Sequence, residues 1–160
     1  MAAPGTTASQ RRIVVGVDGS QASIDALQWA ARQASLTGAV VEAATAWHFP
    51  ATYGGYLVTA GTDWRADAVA IQETAVKEAL GDEASSLIGR VAQGHPVGVL
   101  LEAAVGAELL VVGSRGHGGF VGMLLGSVSE QVVAHAPCAV VVIRTPATVG
   151  DARDVPGSRA

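Results

Sequence analysis

Residues 111–127 read VVGSRGHGGFVGMLLGS, and they join an apolar, strand-like run to a helix-like run. Six of the fifteen residues from Gly113 to Ser127 are glycine. Glycine gives up more backbone entropy on folding than other residues, so this density is costly unless the backbone must approach something closely. The segment therefore predicts a loop shaped for close approach, placed between a strand and a helix.

Around this loop, short apolar runs alternate with amphipathic segments along the chain. The runs are rich in β-branched residues, which is typical of strands buried on both faces. We predict five strands, at residues 12–18, 39–47, 87–92, 108–113 and 139–144. Residues 49–62 contain one proline and three glycines and show neither helical nor strand periodicity, so they are predicted to form a loop.

Helix signals fill the gaps between the predicted strands. Ser20 and Asp63 can cap the first two helices, Gly38 supplies a stop for the first, and Pro96 suits the first turn of the third. Apolar side chains recur at helical spacing in each helix. They are Ile24, Leu27, Ala31 and Ala34 in the amphipathic first helix, Trp64, Ala68, Ile71 and Ala75 on one face of the second, and Val97, Leu100, Leu101 and Ala104, predicted to face inward, in the third.

The fourth helix follows the glycine-rich loop. Its start, S-V-S-E from Ser127 to Glu130, has the spacing of a capping box, Val128 and Val132 share a face, and Pro137 ends it. Strands that alternate with helices imply right-handed crossovers and a parallel sheet covered on both sides. The predicted fold class is therefore α/β, a doubly wound, Rossmann-like sheet of five parallel strands.

Length and composition limit the class of protein. A chain of 160 residues suits one domain, which we place at residues 12–144, with flexible tails at 1–11 and 145–160. The net charge of −4 argues against a nucleic-acid partner, and no apolar run approaches the roughly 20 residues that cross a membrane. Cys138 is the single cysteine, and with no secretory signal in the sequence we expect a cytoplasmic protein.

The predicted site lies at the carboxyl ends of the strands, where open parallel sheets bind ligands. Asp18 closes the first predicted strand and the glycine-rich loop leaves the fourth, so both belong to the same rim. Backbone N–H groups at Gly113 and Gly116 can approach a ligand, and Gly126 and Ser127 open a helix whose N-terminus attracts phosphate. A loop that wraps a polyphosphate explains the glycines.

Two other phosphate motifs fit less well. A P-loop requires a lysine that the glycine-rich loop lacks, and the dinucleotide fingerprint requires a glycine where Val121 stands. The spacing that does occur is G-x2-G-x9-G-[ST], at Gly113, Gly116, Gly126 and Ser127. Together with VVGVDGS at residues 14–20 and GHPVGVLLEAA at residues 94–104, it resembles the ATP-binding branch of the universal stress protein family.

This resemblance implies an adenine-nucleotide site and the strand order 3-2-1-4-5. By matching position, it places Asp18, with Gly16 nearby, on the ribose side and the backbone of Ala46 at the adenine edge. Val112 and Gly113 would border the ribose. The phosphates would lie against Gly116, Gly126, Ser127 and Val128, with Mg²⁺ or Mn²⁺ carried by the phosphates and no metal site or catalytic residue of the protein's own.

The resemblance also implies a role and an assembly. We expect a nucleotide-dependent stress regulator or sensor with little turnover, and a homodimer through the fifth strand, which begins at Ala139 and ends at Arg144. A slow ATPase or nucleotidyl-transfer enzyme on the same fold is one alternative, since fold does not determine function. A cyclic AMP-binding protein is the other.

Several side chains have more than one interpretation. Asp18 can bond its own turn or a ligand, and Ser127 can cap its helix or contact phosphate. His117 and Arg115 lie in the predicted phosphate loop without an assigned role. Cys138 is interpreted as buried packing, and Trp47 as a core or groove residue.

Overall fold

The structure is a computed structural model that describes residues 10–48, 63–116 and 124–145. The predicted loop at 49–62 and His117 lie outside the described residues, as do nearly all of both predicted tails. At the ends of the described chain, Arg11 forms an ion pair with Glu108, and the Thr145 hydroxyl donates a hydrogen bond to Asp25.

Five strands and four α-helices alternate along the described residues. The strands are β1 (Arg12–Gly16), β2 (Val40–Trp47), β3 (Ile88–Gln93), β4 (Leu109–Gly113) and β5 (Ala139–Ile143). The helices are α1 (Gln21–Thr37), α2 (Trp64–Leu80), α3 (Pro96–Ala103) and α4 (Ser127–His135), with a 3₁₀ helix at Gly81–Ser86. The predicted elements are all present, although β1 ends at Gly16, two residues before the predicted end.

All strand pairs are parallel, and the order across the sheet is β3-β2-β1-β4-β5. The α/β fold class and the strand order expected from the resemblance are therefore confirmed. The order reverses between β1 and β4, so the carboxyl ends of these two strands diverge into a crevice.

The sheet separates two apolar clusters. One contains Leu27 of α1 and Val76 of α2 against β1 and β2, and the other contains Leu100 of α3 and Val132 of α4 against β4. Val15 and Val14 of β1 point into opposite clusters, as alternation along a strand requires. Because this central strand is buried on both faces, its carboxyl end, where the crevice opens, is held in position.

Helix α1 is formed by the signals that predicted it. The Ser20 hydroxyl accepts a hydrogen bond from the Ser23 N–H, and Gly38 ends the helix in the left-handed region at φ 71°. Helix α2 also begins as predicted, because the Asp63 carboxylate accepts a hydrogen bond from the Ala66 N–H.

The apolar face predicted for α2 is not buried along its whole length. Ile71 is exposed, and its neighbour Gln72 is buried among Ala68, Ala75 and Val76. The reason is a set of hydrogen bonds that Gln72 makes to the sheet, described below. In α3, Leu101 is half-buried, and Val99 and Ala103 take the inward positions beside Leu100.

Among the described residues, no helix is both long and apolar enough to cross a membrane.

Candidate functional site

A cavity of about 550 Å³ opens at the carboxyl ends of β1, β2 and β4. Its walls include the first turn of α1, one side of α2, the start of α3 and the N-terminus of α4. All nine residues predicted for the site line it: Gly16, Asp18, Ala46, Val112, Gly113, Gly116, Gly126, Ser127 and Val128. The structure thus brings the predicted residues together, and their contact with a ligand stays a prediction.

Asp18 links the turn after β1 to the glycine-rich loop. Its Oδ1 accepts hydrogen bonds from the Ser20 N–H at 2.9 Å and the Ser20 hydroxyl at 2.5 Å. Its other oxygen, Oδ2, lies so close to Gly116 that a β carbon at Gly116 would overlap it. Asp18 therefore both bonds its own turn and faces the segment predicted to hold phosphates.

Gly113 is required by the fold itself. A β carbon at this position would lie 2.6 Å from Cβ of Ala22 and 2.8 Å from its carbonyl carbon. Because α1 packs this closely on the end of β4, only glycine fits without a backbone shift. The first glycine of the motif thus has a structural explanation, independent of any ligand.

The N-terminus of α4 faces the cavity without a side-chain cap. The N-cap is Gly126, which has no side chain to accept a hydrogen bond, so the predicted capping box at Ser127 is wrong. Ser127 is instead the first residue of the helix. The first N–H groups of a helix have no partner within it, and they carry the positive end of its dipole. This end of the cavity is suited to an anion.

Two hydrogen bonds hold α4 to the end of β4. The Gly126 N–H donates to the Ser114 carbonyl at 2.7 Å, and the buried Ser129 hydroxyl donates to the Gly113 carbonyl at 2.7 Å. They fix the helix N-terminus relative to the strand. Sequence reasoning missed Ser129, because the capping-box spacing involves Ser127 and Glu130 and gives Ser129 no role.

The opposite end of the cavity is formed by β2. The Ala44 carbonyl accepts a hydrogen bond from the Val17 N–H at 2.9 Å, just past the last pair of the β1–β2 ladder. Polar backbone groups two residues apart point to the same side of a strand. Those of Ala46 therefore point beyond the end of β1, toward the cavity that Ala46 lines.

Gln72 joins α2 to this end of the sheet. Its Nε2 lies 2.9 Å from the Thr45 hydroxyl and 3.1 Å from the carbonyls of both Ala43 and Arg90. The Thr45 hydroxyl in turn donates to the Val17 carbonyl at 2.9 Å. Nothing in the sequence pattern marked Gln72 or Thr45, because a buried amide interrupts the apolar spacing that identifies an inward face.

Charge on the cavity wall is sparse. Of the described residues that line it, Asp18 and Arg115 are the charged ones. Arg115 is exposed, and it forms no ion pair or hydrogen bond within the part of the chain that the structure describes. Over that same part, no three His, Cys, Asp or Glu side chains are grouped as metal ligands.

Trp47 and Cys138, the remaining candidates, are not among the described residues that line the cavity. Burial raises the pKa of the Cys138 thiol, which keeps it protonated and unreactive at neutral pH. The interpretation of Cys138 as packing agrees with its contact to the second apolar cluster.

Comparison with known proteins gives a single family. The sequence model of the universal stress protein family matches residues 10–144. A universal stress protein of Mycobacterium tuberculosis is 36% identical over 147 residues, which cover 85% of this chain and 48% of the relative. The chain thus spans about half the length of the curated relatives it matches.

Solved structures agree with the fold. A universal stress protein in complex with cyclic AMP is 33% identical, with a TM-score of 0.61 over 83% of this chain and 95% of that one. A universal stress protein from Lactobacillus plantarum is 25% identical, with a TM-score of 0.68 over 84% of this chain and 97% of that one.

Proposed function

Because the chain belongs to the universal stress protein family, we propose that its cavity binds an adenine nucleotide, with ATP as the ligand. The observation that carries the proposal is the uncapped N-terminus of α4 facing a cavity with the motif glycines on its wall. Anions bind at such termini through backbone N–H groups and the helix dipole. The cavity volume of about 550 Å³ is within the usual range for small-molecule sites.

The ligand would lie along the crevice with its phosphates at α4. N–H groups of Ser127 and Val128 would hold the phosphates, and Gly116 would let the chain approach them. The polar backbone of Ala46 would pair with the edge of the base. Asp18 lies between these ends, where the ribose would be, and Arg115 is the nearby cation that can offset phosphate charge.

A divalent cation fits this donor set only as a companion of the phosphates. Mg²⁺ usually keeps several waters and is bound through one or two carboxylates plus substrate phosphates. Asp18 is the single carboxylate that the described residues place on the wall. The cation would be held by the phosphates and would neutralise their charge, and we propose no resident metal site.

Turnover of the bound nucleotide is expected to be slow. Fast phosphoryl transfer requires a positioned nucleophile, a base and charge stabilisation at the leaving group. The described cavity wall contains neither lysine nor histidine, and Asp18 is already held by Ser20. We therefore propose a binding protein whose nucleotide state regulates a stress response. A phosphate-release rate on the order of 1 per second would instead assign it to the enzymes.

Cyclic AMP is the second candidate ligand, favoured by the relative that was solved in complex with it. Parallel calorimetric titrations with ATP plus Mg²⁺ and with cyclic AMP separate the two. We expect tighter binding of ATP, because additional phosphates reach the α4 terminus and Arg115. If cyclic AMP binds more tightly, the proposed nucleotide site stands, but its ligand is cyclic AMP and not ATP.

We also propose a homodimer through β5. This strand pairs with β4 alone among the described strands, and Val140 and Val142 are only half-buried. An open apolar edge of this kind favours pairing with a second copy. Light scattering of the native chain tests this, and a strictly monomeric mass at high concentration would refute it.

A further inference from the structure

Ile71 is an apolar side chain left uncovered inside the candidate site. It is 44% exposed on α2, on the apolar face that the spacing of this helix predicts. Six large apolar residues are exposed in the described chain, and Ile71 is the one that lines the cavity. Leaving such a side chain in water forfeits free energy that contact with an apolar partner would supply.

The position of Ile71 is set by its neighbour. Gln72 is 6% exposed, and its Nε2 reaches three acceptors on β2 and β3. Its Oε1 lies against Gly89, where a β carbon would approach it to 2.7 Å. A rotation of α2 that buried Ile71 would withdraw this amide from its partners and leave buried carbonyls unpaired. The helix is therefore fixed with Ile71 toward the cavity.

The surroundings of Ile71 match one part of a nucleotide. Ala68 lies three residues earlier on the same face of α2, and Thr45 and Ala46 of β2 line the same cavity. The charged residues on the described wall, Asp18 and Arg115, come from the turn after β1 and the segment after β4. The α2 side of the cavity is thus apolar, which suits an aromatic ring more than a phosphate.

We propose that Ile71 contacts the base of the bound nucleotide and that Gln72 positions it. The inference rests on the proposed nucleotide site and identifies a residue that determines its affinity for the base. Because a base contact is independent of phosphate charge, its loss lowers the affinity for adenosine, AMP and ATP by the same factor. Loss of a phosphate contact instead lowers the affinity more as phosphates are added.

The test is Ile71→Ala, titrated with adenosine, AMP and ATP plus Mg²⁺. We expect an affinity loss on the order of ten-fold for each ligand, as for removal of a partly covered apolar contact. The melting temperature should not fall, because Ile71 is already exposed. Val133→Ala is the matched control, since Val133 is 48% exposed on α4 and is not among the cavity-lining residues. It should leave all three affinities unchanged.

A double-mutant cycle tests the positioning role of Gln72. Gln72→Leu alone should weaken binding, but in the Ile71→Ala background it should cost no further affinity, because the side chain it positions is gone. Additive losses would mean that Gln72 acts on the fold alone and would overturn its assigned role.

Unchanged affinity of Ile71→Ala for nucleotides that the native chain binds would overturn the assignment of Ile71 itself. If its melting temperature also fell, Ile71 would instead belong to the packing of the chain. Failure of the native chain to bind any adenine nucleotide would instead refute the proposed function.

Discussion

The two ends of the sheet differ in how their charged and polar groups are paired. At the amino ends of the strands, Arg11, Arg12 and Arg90 each pair with a glutamate. At the carboxyl ends, the α4 terminus has no side-chain cap, and Arg115 has no ion-pair partner among the described residues. Charged side chains are therefore paired with one another at the amino end, whereas a helix terminus and one arginine are available to a ligand at the carboxyl end.

The amino end depends most on a buried carboxylate. Glu42 is 5% exposed, with Arg12 at 2.7 Å and Arg90 at 3.8 Å. Arg12 also donates to the Val105 carbonyl at 2.7 Å, just beyond the end of α3. A buried charge that loses its partner is strongly destabilising, so damage at this end should reduce stability and spare binding.

The largest expected effect therefore comes from Arg12→Met, which keeps the aliphatic stem and removes the guanidinium. We expect the free energy of unfolding to fall by about 3 kcal/mol, with nucleotide affinity unchanged. Urea denaturation measures the first quantity and calorimetry the second. Arg11→Met is the control, because its exposed pair with Glu108 should contribute far less. If Arg11→Met and Arg12→Met lowered the free energy of unfolding equally, burial of the Arg12–Glu42 pair would not explain its contribution.

Gly113→Ala should have the next largest effect, and it would show that the two ends are not fully separate. The added methyl would press on the Ala22 backbone and force α1 from β4, a strain of about 1–3 kcal/mol. Gly98→Ala is the matched control, because a β carbon there has nothing within 4 Å and lies in α3. It should be neutral or gain up to about 1 kcal/mol. An unchanged melting temperature for Gly113→Ala would disprove the close-packing explanation.

Local features of the sequence predicted most of the fold and part of the candidate site. Apolar runs that alternate with amphipathic segments, together with the helix signals at Ser20, Asp63 and Gly38, were enough to predict the order and type of the elements. The motif spacing and the strand-end rule were enough to predict the rim with Asp18, Gly113, Gly116, Gly126 and Ser127, and the resemblance to the universal stress proteins added Gly16, Ala46, Val112 and Val128. These are local features, which is why a single sequence contains them.

What the sequence could not predict depends on contacts between distant segments. Gly113 packs on Ala22, and Gln72 bonds to two strands, so neither role can be read from neighbouring residues. The capping box failed because the spacing at Ser127 does not reveal that the helix begins at Ser127 itself, one residue earlier than a cap at Ser127 requires. Glu42 is buried because two arginines from other strands reach it.

A smaller effect is expected from Gly126→Ser, which supplies the cap that α4 lacks. A β carbon here meets only ordinary contacts, the nearest at 3.6 Å, so the variant should fold normally. The hydroxyl would accept a hydrogen bond from the first turn and stabilise the helix by a few tenths of a kcal/mol, roughly the cap difference between serine and glycine. It would also compete with phosphate for the same donors. Thermal melts and ATP titrations should move in opposite directions, and a parallel gain in both would contradict competition.

The smallest effect concerns the pH dependence at the amino end. Hydrogen bonds from Arg11 at 2.6 and 2.7 Å lower the pKa of Glu108 below its usual value. The pair therefore stabilises the fold above the ordinary glutamate pKa of about 4.3, and this contribution disappears as the pH falls through the lowered value. The melting temperature of Glu108→Gln should lie slightly below that of the native chain at pH 7 and should equal it in strong acid. A melting-temperature difference that grows as the pH falls would contradict this pH dependence.

The most direct test is calorimetric titration of the native chain with ATP plus Mg²⁺, beside Gly116→Val and Gly98→Ala. A side chain at Gly116 would overlap Oδ2 of Asp18 on the wall of the cavity, whereas one at Gly98 points into open space. We predict saturable binding by the native chain and by Gly98→Ala, and at least a ten-fold weaker affinity for a folded Gly116→Val, as loss of close backbone approach implies. Equal affinities for all three folded proteins, or no binding by the native chain, would contradict a nucleotide site at the carboxyl end of the sheet.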